Sequence, residues 1–508
     1  MYSVSAAEMR NIEERIFREA GIPASDLMEK AGHAVFCAAL RLAAAAGLSH
    51  FVVLAGKGNN GGDAFVCARL LHENGCNTTL FLVAQPEFLK GEAQAAFERL
   101  PEKLKDGLRF DLDATDFDDG TLVIDGLLGT GAKGSPKEPI ASWITLVNAS
   151  GCPVLAIDLP SGLDANQGIA ELAIVADKTV TFAAVKNGML LNEGLTCCGR
   201  LEVANIGIPE KFLFESVNDL ELFSHADARQ VLRRESFSIH KNQRGHIGVV
   251  GGSSLYGHAP FLTAEAALRC GSGLCTVLYP RQAENHAAIP KALIVRRIDD
   301  DGKGFFNRAS LSEISALLDN FSVLACGPGL SCHAESLPLL DLLFNAGKPM
   351  VLDADALNLL SLAPELLNIN HAGLILTPHP GEMARLVKAF KINDSRHPQQ
   401  QALALAKASN SVVLLKGCRT IVAASNKRCC LNLSGCAALA SAGSGDVLTG
   451  VCASFLGQKI DPFSSAALAA YLHGLAGEIL CPVGSRGFLA DDLLAALPAA
   501  IRKTLPIA

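Results

Sequence analysis

The stretch at residues 439–450, LASAGSGDVLTG, combines residue types that suit phosphoryl transfer. Gly443 and Gly445 leave backbone amides uncovered where a helix would begin, and Asp446 follows them directly. Free amides at a helix N-terminus, together with the helix dipole, stabilise a developing phosphate charge. A carboxylate beside such a site can take the proton of an attacking hydroxyl. A tight turn that caps a core helix is the competing interpretation, because a short glycine motif alone is weak evidence.

A second candidate site lies in GKGNNGGD, which follows the apolar run at residues 51–55. Its glycines match the GxGxxG spacing between a strand and a helix, which predicts a dinucleotide-type phosphate or ligand loop. Asn59, Asn60 and Asp63 crowd the end of a strand that should be buried, which is costly unless these groups bind something. Ordinary turn formation by Asn and Asp is the alternative. The next strand ends in Gln85-Pro86 and lacks the acidic ribose ligand of a dehydrogenase.

Two more buried runs end in an aspartate and a glycine-rich loop. Asp125 precedes GLLGTGAKGS, and Asp158 precedes LPSGLDANQG. Because the carboxyl ends of parallel strands meet at one edge of a sheet, Asp63, Asp125, Asp158 and Ser161 are predicted to converge in one crevice. Oxygens from Asn60, Asp125 and Ser161 would suit a hard cation, which leaves Asp158 for acid–base chemistry.

The elements that must position these residues alternate between buried strands and helices, which predicts an α/β protein. Helices are expected at residues 6–17 and 24–46, with Ser5 or Ser25 as N-cap, and at residues 64–73. In the second half, a strand, a GGS turn, a helix from about Pro260 and another strand form a βαβ opening. Further strands are predicted at residues 51–55, 78–84, 122–125, 154–158, 179–183, 322–326, 350–352, 374–376 and 412–415. The pattern weakens between residues 208 and 237, which predicts a domain boundary at about 210–235.

Composition narrows the class of partner. The chain has 508 residues, of which 49% are apolar and 19% charged, and its net charge is -7. The absence of Lys/Arg runs argues against nucleic acid and membrane surfaces, and no run reaches about 18 apolar residues. The sixteen cysteines are scattered without a CxxC spacing, which favours reduced thiols. We therefore expect a cytoplasmic protein with small-molecule partners.

Longer motifs carry a family resemblance over nearly the whole chain. GKGNNGGD, VIDGLLGTG, AIDLPSGLDANQG and TVTFAAVKNGML resemble the NAD(P)HX epimerase family. TPHPGE, KGxxT and GxGD resemble the NAD(P)HX dehydratase family, and the two together resemble the bifunctional NAD(P)H-hydrate repair enzymes of bacteria. The resemblance implies an N-terminal Rossmann-like three-layer domain at residues 1–215, followed by a C-terminal ribokinase-like α/β domain at residues 225–508.

For the first half, the resemblance implies a site for the hydrated nicotinamide nucleotide and a potassium site. Potassium would be held by Asn60, Asp125 and Ser161. Asp158 is expected to donate and recover the proton as the hydroxyl leaves and returns. Lys186 is a secondary candidate for orienting the substrate, but a solvated surface lysine is the stronger expectation. The implied substrate-binding residues are Asn59, Asn60, Gly61, Gly62, Asp63, Gly129, Thr130, Gly131, Ala132, Lys133, Gly134, Ser135 and Asp158.

For the second half, the resemblance implies that Ala259, Gly329, His379 and Asp446 bind the hydrated nucleotide. His379 lies between two prolines, and a ligand role is favoured over a purely structural one. Asp446 is the proposed base, with Mg²⁺ to neutralise charge. Family members often have TGGTGD where this chain has SAGSGD, but small residues are kept and the anion site should survive. The adenine nucleotide would contact Lys416, Gly417, Cys418, Arg419, Thr420 and Gly445.

The function implied is metabolite repair of hydrated NADH and NADPH (NADHX and NADPHX). The first domain would act as an isomerase on the R and S hydrates. The second would act as a lyase that uses ADP to dehydrate the S-hydrate and releases AMP and phosphate. Two alternatives stay open: a vitamin or sugar kinase with a nucleotide-binding N-terminal domain, and a non-catalytic nucleotide sensor. We also expect a homo-oligomer.

Overall fold

The computed structural model describes residues 3–213, 221–232, 234–283, 289–368, 371–392, 397–481 and 486–505. The chain divides into two compact units between Glu221 and Leu222. Within the described segments, no helix combines the length and the apolar character needed to cross a membrane.

The first unit is organised around a parallel sheet. Its strands are β1 (Ser3–Val4), β2 (His50–Ala55), β3 (Asn77–Leu82), β4 (Thr121–Gly126), β5 (Val154–Ile157), β6 (Lys178–Phe182), β7 (Val185–Lys186) and β8 (Arg200–Ala204). Its α-helices are α1 (Ala6–Arg15), α2 (Ala24–Ala46), α3 (Asn59–Glu73), α4 (Gly91–Glu98), α5 (Glu102–Asp106), α6 (Ile140–Ser150) and α7 (Gly194–Cys197). A π-helical segment at Ile16–Ala20 continues α1.

Six of these strands form one sheet in the order β3-β2-β4-β5-β6-β8, and all of its neighbours run parallel. The order reverses between β2 and β4, and ligands of doubly wound sheets bind at such a switch point. Alternate residues of β2 face different layers: Val53 belongs to the core that α2 and α3 cover, and Val52 to the core that α6 covers. The expected Rossmann-like three-layer α/β class is therefore confirmed.

Local sequence explains most element boundaries in this unit. Ser5 caps α1, because its hydroxyl accepts from the Glu8 amide at 3.1 Å and the Glu8 carboxylate accepts from the Ser5 amide at 2.6 Å. Ser25 is not a cap, since α2 starts one residue before it. The prediction that residues 59–63 form a loop is wrong, because they form the first turn of α3. Gly61 permits this early start, since a Cβ there would overlap the Gly56 carbonyl.

The second unit contains a larger sheet. Its strands are β9 (Glu221–Phe223), β10 (His246–Val250), β11 (Leu274–Pro280), β12 (Ile294–Ile298), β13 (Val323–Cys326), β14 (Met350–Leu352), β15 (Leu374–Leu376), β16 (Val412–Leu415), β17 (Ile421–Ala424) and β18 (Cys429–Asn432). Its α-helices are α8 (His225–Val231), α9 (Ala259–Arg269), α10 (Leu311–Ser315), α11 (Leu337–Asn345), α12 (Ala354–Leu362), α13 (Pro380–Ala389), α14 (Pro398–Ala408), α15 (Ser444–Gly457), α16 (Pro462–Leu480) and α17 (Ala490–Thr504).

The sheet order is β12-β11-β10-β13-β14-β15-β16-β17-β18-β9. Along this order, all neighbouring strands from β12 through β11 and β10 to β16 run parallel. Strand β17 pairs antiparallel with β16 and with β18. The predicted strands at residues 350–352, 374–376 and 412–415 are confirmed with the same bounds. Helix α15 is buried from Val447 to its end and packs closely on α9, where a Cβ on Gly450 would overlap the Thr263 carbonyl.

Candidate active sites

The first site begins at the N-terminus of α3, beside the switch point of the first sheet. The N-cap residue is Gly58, so no side chain caps the opening amides of this helix. Such amides need an acceptor and carry the positive end of the helix dipole. Asn60 and Asp63, which lie in this first turn, are both buried. The turn therefore offers donors and polar side chains to a ligand at the end of β2.

The structure brings the predicted cation ligands Asn60, Asp125 and Ser161 together. The Ser161 hydroxyl donates to Asp125 Oδ1 at 2.6 Å and the Ser161 amide donates to Oδ2 at 2.8 Å. Asn60 Nδ2 donates to the Leu128 carbonyl at 2.9 Å, and the Leu128 amide donates to Ser161 Oγ at 2.8 Å. Burial raises the pKa of Asp125 to about 6 despite these hydrogen bonds. Among the residues described, no basic side chain forms an ion pair with this carboxylate.

Asp158 is paired with a buried lysine. Lys186 is 1% exposed, and its ammonium donates to Asp158 Oδ1 at 2.5 Å, to Thr181 Oγ1 at 2.9 Å and to the Phe182 carbonyl at 3.2 Å. All three ammonium donors are thus used. The expectation of a solvated Lys186 is wrong, because β7 pairs with β1 and is covered there. In the described part of the chain, Asp158 Oδ2 accepts no hydrogen bond, so this oxygen is available to a ligand.

Two further carboxyl groups belong to the same electrostatic cluster. Burial, followed by the charges of Asp158 and Glu13, raises the pKa of Asp63 well above its ordinary range. Burial and the Asp158 charge also raise the pKa of Glu13, which lies on α1. Sequence reasoning missed Glu13, because nothing in the polar helix pattern around it marks this residue. The cluster thus combines an ion-paired carboxylate with two carboxyl groups whose pKa values are raised.

The predicted substrate loop after β4 lies at the rim of this site. Gly129 packs against Asn60, since a Cβ on Gly129 would lie 3.2 Å from the Asn60 Cβ. Thr130 is half-buried. Ser135 is hydrogen-bonded to Glu171. The exposed members of the loop are Gly131, Ala132, Lys133, Gly134 and Ser135.

The second site forms around the N-terminus of α15. Gly443 is the N-cap residue with a φ of 85°, a left-handed conformation that favours glycine. In the part of the chain that is described, the amides of Gly445 and Asp446 have no hydrogen-bond acceptor. His473 fixes this turn by donating from Nε2 to the Ser444 carbonyl at 2.9 Å, and burial lowers the pKa of His473 to about 4. The helix start is therefore rigid and open to an anion.

A charged cluster faces this helix start. Lys416 Nζ lies 2.7 Å from Asp353 Oδ1 and 3.9 Å from Glu382 Oε2. Burial opposes the charge of Lys416, but the carboxylates of Asp353 and Glu382 outweigh it and raise the pKa of the lysine. Burial and the Asp353 charge raise the pKa of Asp446 to about 7, against the opposing effect of Lys416. Burial likewise raises the pKa of Glu382 to about 7. A carboxyl group with a pKa near neutrality is suited to act as a general base.

His379 has a structural role in addition to its predicted contact with substrate. It is the N-cap of α13, and its Nδ1 accepts from the Gly381 amide at 2.9 Å. Its Nε2 lies 3.2 Å from Glu382 Oε1. Because Nδ1 acts as an acceptor, we assign the proton to Nε2, which donates it to Glu382. Both ring nitrogens are thus engaged, and the half-exposed face of the ring is what remains for a ligand.

The other predicted residues border this cluster. Ala259 opens α9 one turn before Thr263, whose hydroxyl donates to the Asp446 carbonyl at 2.9 Å. Gly329 has a φ of 68°, and a Cβ there would overlap the Tyr256 carbonyl. The predicted nucleotide-binding residues Gly417, Cys418, Arg419 and Thr420 form the turn between β16 and β17, where Gly417 and Cys418 are exposed.

Sequence reasoning assigned no role to Asp353, Glu382 or Thr449. The first two stand in DADALN and TPHPGE, which directly follow predicted strands, so the signal was a polar residue after a buried run. Thr449 carried a weaker signal, because it lies inside the apolar helix that follows Asp446. The structure joins all three to Lys416 or to its partner carboxylate.

Comparison with known families places the two halves separately. Residues 24–188 match the family described as YjeF-related protein N-terminus. Residues 247–499 match the family described as NAD(P)H-hydrate dehydratase. The match of the second half to the dehydratase family confirms the ribokinase-like α/β fold that is expected for it.

Relatives that resemble the whole chain carry a common name. A bifunctional NAD(P)H-hydrate repair enzyme from Moorella thermoacetica is 38% identical and covers 99% of this chain and 97% of its own length. An enzyme of the same name from Escherichia coli is 34% identical over 97% of this chain and 92% of its own. A solved structure of the ADP/ATP-dependent NAD(P)H-hydrate dehydratase from Bacillus subtilis, co-crystallised with ATP and Mg²⁺, is 25% identical. It has a TM-score of 0.48 and covers 57% of this chain and 100% of its own.

Proposed function

The chain belongs to the family of bifunctional NAD(P)H-hydrate repair enzymes, and we propose that it restores hydrated NADH and NADPH in two steps. The first unit epimerises the R and S hydrates. The second unit dehydrates the S-hydrate with ADP as phosphoryl donor and releases AMP and phosphate. The observation that carries the proposal is the juxtaposition of Asp446, open helix amides and Lys416, which supplies a base, an anion hole and a cation.

Epimerisation requires the hydroxyl on the carbon bonded to the ring nitrogen to leave and return. As the C–O bond breaks, its electron pair goes to oxygen, a proton joins that oxygen to form water, and the ring nitrogen forms a C=N bond. Water then adds to the opposite face and gives up a proton. We assign both proton transfers to Asp158, whose Oδ1 is fixed by Lys186 while Oδ2 accepts no hydrogen bond from the described residues. Asp63 and Glu13, whose pKa values are raised by burial and by the charge of Asp158, belong to the same electrostatic cluster.

Dehydration begins when Asp446 takes the proton of the hydroxyl. The hydroxyl oxygen attacks the terminal phosphorus of ADP, and the bond from that phosphorus to the AMP oxygen breaks. The amides of Gly445 and Asp446 and the Lys416 ammonium stabilise the charge on the transferred group. The C–O bond then breaks with loss of phosphate, and the neighbouring carbon loses a proton to restore the ring double bond. Mg²⁺, when bound with the nucleotide, neutralises phosphate charge.

Potassium fits the residues around Asp125. A fully buried carboxylate without a cationic partner among the described residues is unfavourable unless a cation joins it. Oxygen atoms of Asp125, Asn60 and Ser161 would hold the ion, and such hard ligands suit it. The ion would supply charge compensation between the end of β4 and the first turn of α3.

Recovery of absorbance in the reduced-nicotinamide band tests the proposal directly. The substrate is a mixture of R and S hydrates, assayed with and without ADP, Mg²⁺ and K⁺. Complete ADP-dependent recovery is expected, because both activities are needed to use both epimers. Recovery that stops near the S fraction would remove the epimerase assignment. No recovery with ADP or ATP would remove the dehydratase assignment.

The same assay separates the two alternatives. A vitamin or sugar kinase would leave a stable phosphorylated product, whereas the dehydratase releases free phosphate together with reduced nicotinamide. A nucleotide sensor would bind nucleotide but would not turn over any substrate. Asp446→Asn is therefore expected to retain nucleotide binding and to lose turnover, because only the base is removed. A homo-oligomeric state and a cytoplasmic location stay predictions.

A further inference from the structure

Asp353, in the second unit, is a buried residue whose carboxylate forms hydrogen bonds with other elements and not with the helix that it precedes. It follows β14 and occupies the N-cap position of α12, yet its side chain does not cap that helix. It is 1% exposed. The next residue, Ala354, has a φ of 48°, a left-handed conformation that is strained for a residue with a Cβ. A strained turn and an unused cap both indicate that this carboxylate is directed elsewhere.

Both carboxylate oxygens of Asp353 are used by groups from three other elements. Oδ1 accepts from Lys416 Nζ at 2.7 Å and from Thr377 Oγ1 at 2.8 Å. Oδ2 accepts from Thr449 Oγ1 at 2.7 Å. Thr377 follows β15, Lys416 follows β16, and Thr449 lies in α15, one turn after Gly445. One carboxylate therefore connects two strand ends to the helix that carries Asp446.

The connection also decides which carboxylate the lysine pairs with. Lys416 lies within ion-pair distance of Asp353 and Glu382, and no ion pair with Asp446 occurs in the described segments. Its ammonium is nevertheless close to the start of α15, since a Cβ on Gly445 would lie 3.5 Å from Nζ. Without Asp353, the lysine would be free to neutralise the nearest remaining carboxylates, including Asp446.

We propose that Asp353 is a positioning residue for the dehydration step, which holds Lys416 beside Gly445 at the start of α15 and away from the carboxylate of Asp446. The proposal rests on the function assigned above to the second unit. Lys416 then meets the transferred phosphoryl group, and Asp446 keeps an unpaired carboxylate that accepts the hydroxyl proton. Loss of Asp353 would displace the cation and quench the base at the same time.

The test is the pH profile of Asp353→Asn in the full-length chain with ADP, Mg²⁺ and the S-hydrate. Three charged groups act on Asp446: Asp353 and Asp355 raise its pKa, and Lys416 lowers it. Neutralising Asp353 removes one of the raising charges and frees Lys416, so the acid limb of kcat/KM should move down by about one pH unit or more. At neutral pH, kcat should fall on the order of a hundredfold, because the cation no longer meets the phosphoryl group.

Asp300→Asn is the matched control. Asp300 is also 1% exposed, but it accepts from the backbone amides of Gln282, Gly302 and Gly304 and does not touch Lys416. Its replacement is expected to lower thermal stability without moving the acid limb. An acid limb that is unchanged in Asp353→Asn, or equally shifted in Asp300→Asn, would overturn the proposal.

Two further variants extend the test, and the first of them covers the case in which Asp353→Asn does not fold. Thr377→Val removes one of the bonds that hold Asp353 and should shift the acid limb in the same direction by a smaller amount; no shift would count against the proposal. In a Lys416→Met background, Asp353→Asn should cost little additional kcat, because the two residues act through each other. Independent losses would contradict this. A wild-type chain without ADP-dependent recovery would instead refute the function proposed above.

Discussion

Replacement of Lys186 by Met tests the reasoning about the first site most directly. The substitution keeps the apolar stem but removes an ammonium that is 1% exposed and lies 2.5 Å from Asp158 Oδ1. Breaking a fully buried pair costs about 3–5 kcal/mol. Asp158 retains the Thr181 hydroxyl at 3.0 Å and is 14% exposed, so the lower end, about 3 kcal/mol, is expected. For a unit of this size that corresponds to a fall in Tm of about 6–12 °C.

Lys178→Met provides a control from a neighbouring strand. Lys178 also pairs with a carboxylate, Glu202, but that partner is 35% exposed. A partly exposed pair contributes about 1 kcal/mol or less to stability. The control variant should therefore lose little stability and should keep its full activity.

Activity separates positioning from stability in this experiment. With a mixed R/S hydrate and ADP, Lys186→Met should recover reduced nicotinamide only up to about the S fraction, because its second unit is unchanged. Lys178→Met should recover all of it. Full-rate epimerisation by Lys186→Met, or equal destabilisation by the two variants, would refute the assignment of Lys186 to the site.

The second unit and the cation site give three further predictions. The kcat/KM of dehydration should fall as the pH drops below about 7, because the pKa of Asp446 is raised to about 7 and the base must be deprotonated; a flat profile between about pH 5.5 and about pH 8 would contradict this. Gly445→Ala should fold normally, since its Cβ would lie 3.5 Å from Lys416 Nζ, yet raise the KM for ADP about tenfold or more by filling the anion hole. Unchanged ADP binding would remove that site. KCl, compared with choline chloride, should raise the Tm of the wild-type chain, and Asp125→Asn should abolish this rise. An equal rise in both proteins would exclude a potassium site at Asp125.

The strands were predictable because their chemistry is local. Met350–Leu352, Leu374–Leu376 and Val412–Leu415 are short apolar runs between polar residues, and a strand covered on both faces needs only that. The first turn of α3 was not predictable from propensity. Asn and Gly disfavour a helix interior, but at a helix start that packs on the Gly56 carbonyl they cost little.

Charge states were harder to predict than folds, because they depend on contacts between distant residues. Lys186 is buried because its strand, β7, pairs with β1, where Val4 lies opposite Lys186. The two residues are far apart in the sequence, so no local pattern predicts this pairing. The GSGD motif marked Asp446 as a candidate base, but the pKa of this residue depends on burial and on Asp353, which belongs to another strand end. Sequence patterns therefore predicted both candidate sites, whereas the pKa shifts of their groups depend on contacts that only the structure shows.

The two sites use a lysine and an aspartate in opposite ways. In the first unit, Lys186 binds Asp158 Oδ1 directly, which fixes the carboxylate while Oδ2 remains open to a substrate whose hydroxyl leaves and returns. In the second unit, Asp353 binds Lys416, so the lysine does not pair with Asp446. The difference follows from the chemistry: epimerisation returns every proton to the group that gave it, whereas phosphoryl transfer needs an unpaired base and a separate cation at the same time. If Lys186 did not contact Asp158, or if Lys416 paired with Asp446, the activity of that unit should therefore be lost even where the fold is retained.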